Sequence, residues 1–165
     1  MQKFMAAATC SFILGGCAAP ITYYSKYEDV SKPGKIQFSA QSGAFTSVSL
    51  FSDSYECNGI QRLAFFLPGF DETVYVPAGK FITFSVYVQT PGFPEFKYGG
   101  GIYTVPFDSK EMRVNVSYKG DVVYTKIDSY DSKVGWHSAK GVIARVPLKP
   151  FFDSESWCEP ISEIR

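Results

Sequence analysis

The chain has 165 residues, with 16 Lys and Arg against 16 Asp and Glu, a length that fits one domain with a short appendage rather than two full domains. The charge balance gives no support to a nucleic-acid-binding surface or a polybasic membrane contact. With 15 Phe, 11 Tyr and 2 Trp, the composition is too apolar for a disordered chain. We therefore expect a packed domain and no nucleic-acid partner.

The amino-terminal segment has the pattern of an export signal. Lys3 is the only charged side chain before an uncharged run from Phe4 to Leu14. This run has the length of a signal-peptide core, and it is too short to span a bilayer, because a spanning helix needs about 20 apolar residues. It ends in Leu14-Gly15-Gly16-Cys17, and these residues resemble the lipobox of bacterial lipoproteins.

The resemblance implies that residues 1–16 are a lipoprotein signal peptide and that the Cys17 thiol carries the lipid. Each buried acyl methylene contributes about 0.8 kcal/mol, so several chains would hold the protein on a membrane. An ordinary signal peptide cut after Ala18 or Ala19, or a retained buried segment, is the alternative. In enterobacterial lipoproteins an aspartate after the cysteine tends to keep the protein at the inner membrane. Ala18 in that place favours the outer membrane, on its periplasmic face or at the cell surface.

Residues 17–33 have the composition of a lipid-anchored tether. Between Ala18 and Lys32 the chain is rich in Ser, Lys, Glu, Asp and Tyr. A flexible segment of this length spans roughly 20 Å, so it would hold the domain just off the lipid surface. Four residues are too apolar for a simple linker, and docking of some of them on the domain is the alternative. They are Ile21, Tyr23, Tyr24 and Tyr27.

From Gly34 onwards the chain follows the two-residue period of half-buried strands. Apolar and polar residues alternate from Ile36 to Ala40, and the run from Lys80 to Gln89 predicts a strand covered on both faces. Lys119-Gly120 predicts a hairpin, and no segment has a capped helical stripe. The candidate strands cover residues 36–40, a run from 48, 62–67, 73–76, 80–89, 101–107, 112–118, 121–128 and 141–148.

These strands predict an all-β fold. Their number and closely spaced turns favour an antiparallel β-sandwich of about eight strands over residues 34–165, with a β-barrel as the alternative. The stretch from Val74 to Lys80 is similar to the strand, Pro-Ala-Gly turn, strand element of transthyretin-like sandwich lipoproteins, which implies a sandwich. Pro77 and Gly79 also suit a turn through their own backbone preferences.

Two cysteines remain in the exported domain, because Cys10 belongs to the leader and Cys17 carries the lipid. Cys57 and Cys158 would lie in an oxidising compartment, where a disulfide between them is favoured. A closed loop of roughly 100 residues contributes up to about 4.7 kcal/mol in the chain-entropy model. Two free thiols or a metal pair are the alternatives, but a chain with one histidine supplies a zinc site poorly. We expect no metal and no cofactor.

No catalytic motif stands out. His137 is the one side chain whose ordinary pKa lies near neutrality, but it is predicted to lie in a loop, and its neighbours Ser132 and Ser138 are not part of a Gly-x-Ser-x-Gly elbow. Asp128 to Asp131 lacks the glycine and distal glutamate of a calcium loop. The close acid pairs that a glycosidase would need across a cleft are more simply solvated loop acids. They are Asp53 with Glu56, Asp71 with Glu72, and Asp128 with Asp131. We therefore predict that the protein is not an enzyme.

The segment from Gln89 to Gly101 is the most unusual in the chain. It combines aromatic residues, two prolines and four glycines, which predicts a loop that is mobile at its glycines. Leu67-Pro68-Gly69-Phe70 predicts a second loop of this kind, and rigid aromatic residues on loops are typical contact residues. The simpler role for the aromatic residues of the longer loop is to cap the open end of the sandwich, and contact with a partner is the alternative. The candidate binding residues are Phe70, Phe93, Phe96 and Tyr98.

Three classes of function follow from these features. The first is a lipid-anchored envelope lipoprotein that acts as a protein-interaction or structural accessory module, with the membrane bound through Cys17 and another envelope protein as partner. The second is a small-ligand or glycan-binding module, which needs aromatic and polar groups that converge on one site. The third, an envelope hydrolase, would need His137 bonded to a serine or two acids across a cleft.

Overall fold

The fold is all-β, as the sequence predicts. The structure is a computed structural model that describes residues 33–77, 81–90, 97–107, 111–120, 122–148 and 155–159, and within these ranges every regular element is a strand. The leader and the tether up to residue 32, with Cys17, lie outside the described residues, as do Phe93 and Phe96. Within the described ranges there is no long apolar helix of the kind that crosses a membrane.

The described residues form eight strands, close to the number predicted. Their bounds are β1 Pro33–Asp53, β2 Asn58–Pro77, β3 Phe81–Thr90, β4 Lys97–Pro106, β5 Glu111–Lys119, β6 Val122–Asp131, β7 Gly135–Ser138 and β8 Ile143–Arg145. They belong to one curled sheet in the order β7-β6-β5-β1-β3-β4-β8, with β2 paired to β1. The predicted hairpin at Lys119-Gly120 is confirmed, since it joins β5 to β6 and Gly120 has a φ of 60°.

The two longest strands bend, which the sequence did not reveal. The pairing of β1 with β2 shifts register between Ala40 and Phe45, and Gly43 in this bend has a φ of 95° that side chains rarely tolerate. In β2 the irregular region contains Gly69, with a φ of 75°. Each long strand was predicted as two short ones, and Leu67–Phe70 as a loop. Both predictions were wrong because the bends interrupt the alternation of apolar residues while the two strands stay paired.

The expectation of purely antiparallel pairing needs one correction. Six neighbouring pairs are antiparallel, but β1 and β5 run parallel from Lys35 opposite Glu111 to Ala40 opposite Val116. The first half of β1 pairs with β5 and the second half with β3. The parallel pairing is therefore confined to the residues before the bend.

Two halves of the sheet contribute to one apolar core. One half consists of β5 to β7 with the first half of β1, and the other of β3, β4 and β8 with the second half of β1. Phe38 from the first half and Phe84 from β3 pack edge to face, with ring centroids 5.4 Å apart, and both are fully buried. Truncation of either ring to Ala would cost about 3–5 kcal/mol. Phe107 lies so close to Gly34 that a Cβ there would come within 2.2 Å of its ring. This contact brings the far ends of the two halves together.

A second, smaller cluster covers the opposite face of β3 and β4, as predicted for a strand buried on both faces. Alternate β3 residues from Ile82 to Val88 enter the main core, while Thr83 and Ser85 are buried on the other side. Burial raises the pKa of the Tyr87 hydroxyl at the margin of this cluster, and Tyr103 adds to the effect. The second cluster consists of Phe51, Cys57, Ile60, Ile102 and Cys158.

The carboxy-terminal segment closes this cluster. Leu148 donates its backbone N–H to the carbonyl oxygen of Trp157 at 2.9 Å, and Glu159 donates to that of Val146 at 3.0 Å. The predicted disulfide between Cys57 and Cys158 is confirmed, with a Cα–Cα distance of 5.6 Å. Residues 155–159 are therefore tied both to the segment that follows β8 and to the turn between β1 and β2.

Candidate functional site

The outer face of β5, β6 and β7 carries aromatic and charged side chains side by side. Arg113 on β5 lies opposite Asp128 on β6, and Tyr130 on β6 lies opposite Trp136 on β7. Lys126 shares this face because it lies two residues from Asp128 along the strand. We call these five residues the sheet-face cluster.

The aromatic rings hold the cluster together. The Arg113 guanidinium carbon lies 3.9 Å from the centroid of the Trp136 ring, and the Tyr130 and Trp136 rings are 5.4 Å apart at 59°. Since Trp136 is on β7 and Arg113 is on β5, the indole reaches across β6. Contacts of this kind contribute about 0.5–1.5 kcal/mol each, so the rings hold one another and the guanidinium in place.

The two cations of the cluster have different partners, a carboxylate for Lys126 and an aromatic ring for Arg113. Asp128 is only 7% exposed, and its carboxylate lies 2.9 Å from the Lys126 ammonium. Arg113 is exposed, and within the described part of the chain its guanidinium contacts the Trp136 indole. Stacking leaves the N–H groups at the rim of the guanidinium plane for a ligand, because a guanidinium has five donors that point outward in its plane. The cluster can therefore present a fixed, positively charged donor to solvent.

Sequence reasoning missed this cluster. Trp136 and His137 were predicted to lie in a loop, but they belong to β7, an edge strand of four residues. A four-residue strand is too short to show a clear period. The available signal was Asp131, because an acid that accepts turn hydrogen bonds often starts a hairpin turn. Trp136 and Ser138, two residues apart, would then share one face of the strand that follows.

Two of the acids named in the sequence analysis, Asp53 and Asp131, accept hydrogen bonds within turns. Asp53 accepts hydrogen bonds from the backbone N–H groups of Tyr55 at 2.8 Å and Glu56 at 3.1 Å, in the turn between β1 and β2. Asp131 accepts in the same way from Lys133 at 2.7 Å and Val134 at 3.1 Å, in the turn between β6 and β7. These two carboxylates stabilise tight turns.

His137 and Asp71 each lie against a neighbouring polar group. The His137 Nδ1 atom lies 3.1 Å from the backbone carbonyl oxygen of Ser138, its neighbour in the chain. Asp71 accepts a hydrogen bond from the Gln37 amide at 3.1 Å. Among the described residues, no three His, Cys, Asp or Glu side chains are grouped to hold a metal ion.

The predicted binding loops flank the same end of the molecule. Phe45 on β1 is paired both with Pro68 on β2 and with Gln89 near the end of β3. We call this the bend end, and the end where β1 starts at Pro33 the amino-terminal end. Phe45 is 39% exposed and Leu67 is 42% exposed. The bend end therefore presents apolar side chains beside the predicted loop.

The candidate contact residues themselves are placed differently from the prediction. Phe70 lies in β2 opposite Ala40 and packs against the main core, so it is not a loop residue. Tyr98 lies in β4 opposite Gln89. Gly99 and Gly100 are also in β4, where a Cβ at Gly100 would come within 2.0 Å of the Val86 carbonyl oxygen. The glycine run, predicted to be a mobile part of a loop, lets β4 approach its neighbours closely.

A second arginine lies in a different environment. Arg145 on β8 is buried, and its guanidinium donates to the backbone carbonyl oxygens of Ser54 at 3.2 Å and Tyr55 at 2.8 Å, and to that of Glu159. It also donates to the Thr104 hydroxyl at 3.0 Å. Burial lowers the pKa of this guanidinium, and the charge of Glu56 opposes the effect. Arg145 therefore ties the carboxy-terminal segment to the turn between β1 and β2.

Comparison of the chain with protein-family models, with curated proteins and with solved structures found no match. The functional argument therefore depends on the residues and their geometry.

Proposed function

We propose that the protein is a lipid-anchored lipoprotein of the bacterial outer membrane that acts as a protein-interaction module. In this proposal residues 1–16 are removed, Cys17 carries the lipid, residues 17–33 are the tether and residues 34–165 are the binding domain. The observation that carries the proposal is that Phe45 and Leu67 are exposed at the end of the molecule remote from Pro33, where the tether joins.

The position of the anchor supports this orientation. Pro33 is the first residue of β1 and lies opposite Pro77, the last residue of β2. Phe45 lies roughly 12 residues further along β1, a strand length of up to about 40 Å. A domain held by a tether at the amino-terminal end would therefore present its bend end away from the lipid, where a partner in the envelope can reach it.

The apolar residues at the bend end are suited to a protein contact. Val122, which follows the turn between β5 and β6, is 53% exposed, and Gln41 in the bend accepts a hydrogen bond from the Tyr118 N–H at 3.3 Å, which brings this turn to the same end. Contiguous exposed apolar surface of several hundred Å² marks an interaction site on a soluble domain. In our proposal Phe93 and Phe96, which lie outside the described residues, also contact the partner.

We also propose that the curled sheet is a two-layer β-sandwich. The Phe38–Phe84 contact across the core and the packing of Phe107 on Gly34 support this arrangement, because both join the two halves of the sheet face to face. Val123 on β6 supports it further, since a Cβ at Gly99 on β4 would come within 2.6 Å of its side chain. A barrel would instead close the sheet edge to edge by strand pairing.

Photo-crosslinking in native envelopes tests the proposed contact surface. A photoreactive amino acid at Leu67 should give discrete adducts with one or a few envelope proteins. The same residue at Val142, which is 37% exposed and follows Gly141, a neighbour of Pro106 at the opposite end, serves as the matched control. Adducts of equal yield and pattern from both positions, or none from Leu67, would contradict the proposal.

The lipid anchor has its own test. Cys17→Ser should leave an unprocessed precursor that does not incorporate radioactive palmitate. Efficient labelling of this variant would overturn the lipid attachment without bearing on the contact surface.

A binding module for a glycan or small ligand is the second candidate, and the sheet-face cluster favours it. Trp136, Tyr130 and Arg113 combine aromatic surface with a charged donor, which is the composition of many ligand sites. A hydrolase has less support, because Asp53 and Asp131 accept turn hydrogen bonds and His137 lies against a backbone carbonyl oxygen.

A further inference from the structure

The sheet-face cluster contains one cation whose charge is not matched within the described part of the chain. Lys126 and Asp128 form an ion pair at 2.9 Å, whereas Arg113 is held by the Trp136 ring. Because the ring already holds the guanidinium in place, binding of a ligand costs little further side-chain entropy. The N–H donors in the guanidinium plane remain available. A planar carboxylate is the group that this fork matches best, because it can accept two parallel hydrogen bonds.

The aromatic rings beside Arg113 define the rest of the ligand. Trp136 and Tyr130, with ring planes at 59° and centroids 5.4 Å apart, form a corner rather than a flat stack. Tyr130 is 40% exposed. The C–H face of a sugar ring is apolar and can pack on such a ring while its hydroxyl groups remain at the edges.

Polar side chains continue the face on the side of Arg113 away from the rings. Gln37 lies directly beside Arg113 on the neighbouring strand, where its amide nitrogen donates to Asp71, and Ser39 lies beside Asn115. The amide oxygen of Gln37 can accept a hydrogen bond from a sugar hydroxyl. The Ser39 hydroxyl and the Asn115 side-chain oxygen are 2.6 Å apart. From Trp136 on β7 to Gln37 on β1 the face crosses three strand spacings of about 4.8 Å each. This distance is enough for two linked sugar rings.

We propose that the sheet-face cluster binds an acidic saccharide. Its carboxylate accepts hydrogen bonds from Arg113, its ring packs against Tyr130, and the next sugar faces Gln37 and Asn115. This site is separate from the apolar surface at the bend end, so it adds a second ligand to the proposed interaction module. An acidic peptide is less well matched, because β7 offers only four residues for strand pairing.

Binding of uronate oligomers to the mature full-length protein in detergent tests the proposal. The probes are trigalacturonate, trimannuronate and a hyaluronate tetrasaccharide, with maltotriose as the neutral saccharide and pentaglutamate as the acidic peptide. Isothermal titration and Trp fluorescence should show binding of at least one uronate oligomer that weakens as NaCl is raised, because exposed charges are screened. Maltotriose and pentaglutamate should bind at least tenfold more weakly.

Two variants assign the binding to named groups. Arg113→Gln should weaken binding by about tenfold or more, since hydrogen bonds to charged groups are the stronger ones. Arg113→Lys should recover only part of it, because an ammonium keeps the charge and loses the planar fork. Lys119→Gln, which removes an exposed cation further along β5, is the matched control and should bind as the wild type does.

Four results would overturn the proposal. They are no binding of any uronate oligomer, equal binding of maltotriose, equal binding of pentaglutamate, and unchanged binding by Arg113→Gln. Near-ultraviolet circular dichroism of each variant shows whether its fold is intact. Because these measurements use purified protein and saccharides, they can fail while crosslinking from Leu67 succeeds, and the reverse also holds.

Discussion

Arg145 and Arg113 occupy two regions of the same sheet and use their guanidinium groups in opposite ways. Arg145 is buried and donates to three backbone carbonyl oxygens and one hydroxyl, whereas Arg113 is exposed and stacks on an indole. A buried guanidinium must have acceptors, since an unpaired buried charge is costly. An exposed one needs none, so Arg145 has a structural role and Arg113 is available for binding.

The largest expected effect comes from the disulfide beside Arg145. Changing Cys57 and Cys158 to Ser together should lower the free energy of unfolding by about 2–5 kcal/mol, because the bridge closes a long loop and holds residues 155–159 on the second cluster. The free energy of unfolding measured with urea should be the same for the variant and for the reduced wild type. Unchanged stability, with two thiols titratable before reduction, would show that the bridge is absent.

Replacing the arginines one at a time tests the comparison itself. Arg145→Met removes the guanidinium donor from the partly buried carbonyl oxygens of Tyr55 and Glu159, each worth about 1–3 kcal/mol, so we expect a loss of about 3 kcal/mol in urea unfolding. Arg113→Met removes one exposed stacking contact and should cost less than about 1 kcal/mol. Equal losses would mean that Arg113 is also a structural residue.

Removing the indole gives a smaller effect. Trp136→Ala loses its contacts with Tyr130 and Arg113, which together should contribute about 1–2 kcal/mol. Tyr124→Ala is the matched control, because Tyr124 is 52% exposed on the neighbouring strand β6, and its removal should change the stability by less than about 0.5 kcal/mol. If Trp136→Ala is no more harmful than Tyr124→Ala, the rings do not hold the cluster.

The smallest effect concerns pH. The pKa of Tyr87 is raised in the folded protein, first by burial and then by Tyr103, so folding favours the neutral hydroxyl. Its contribution is complete below the ordinary pKa of about 10 and is lost as the pH rises through the folded value. Relative to Tyr87→Phe, the wild type should lose stability only above about pH 10. If the wild type loses stability relative to Tyr87→Phe at a lower pH, the prediction is contradicted.

The sequence predicted most strands, because their alternation is long enough to show which face is buried. From Ile82 to Val88 the period extends over a whole strand, and burial on both faces followed from the apolar residues in the second set. The pairing of Cys57 with Cys158 could be predicted because only two cysteines remained once Cys10 and Cys17 were assigned to the leader and the lipid.

The bends and the candidate site could not be predicted from the sequence. Gly43 and Gly69 suggest turns, and only the pairing of Phe45 with Pro68 shows that both strands continue through them. The contact of Arg113 with Trp136 joins strands that are not neighbours. No local pattern encodes such a contact, because it depends on the order of the strands in the sheet.

Hydrogen exchange of the arginine side chains, followed by nuclear magnetic resonance of ¹⁵N-labelled protein, tests the contrast between the two arginines most directly. We expect the guanidinium protons of Arg145 to exchange slowly, because acceptors and burial protect them, and those of Arg113 to exchange at rates close to those of free arginine. Saturation with a uronate oligomer should slow the exchange of Arg113 alone. Equal protection of both groups in the free protein would contradict the account.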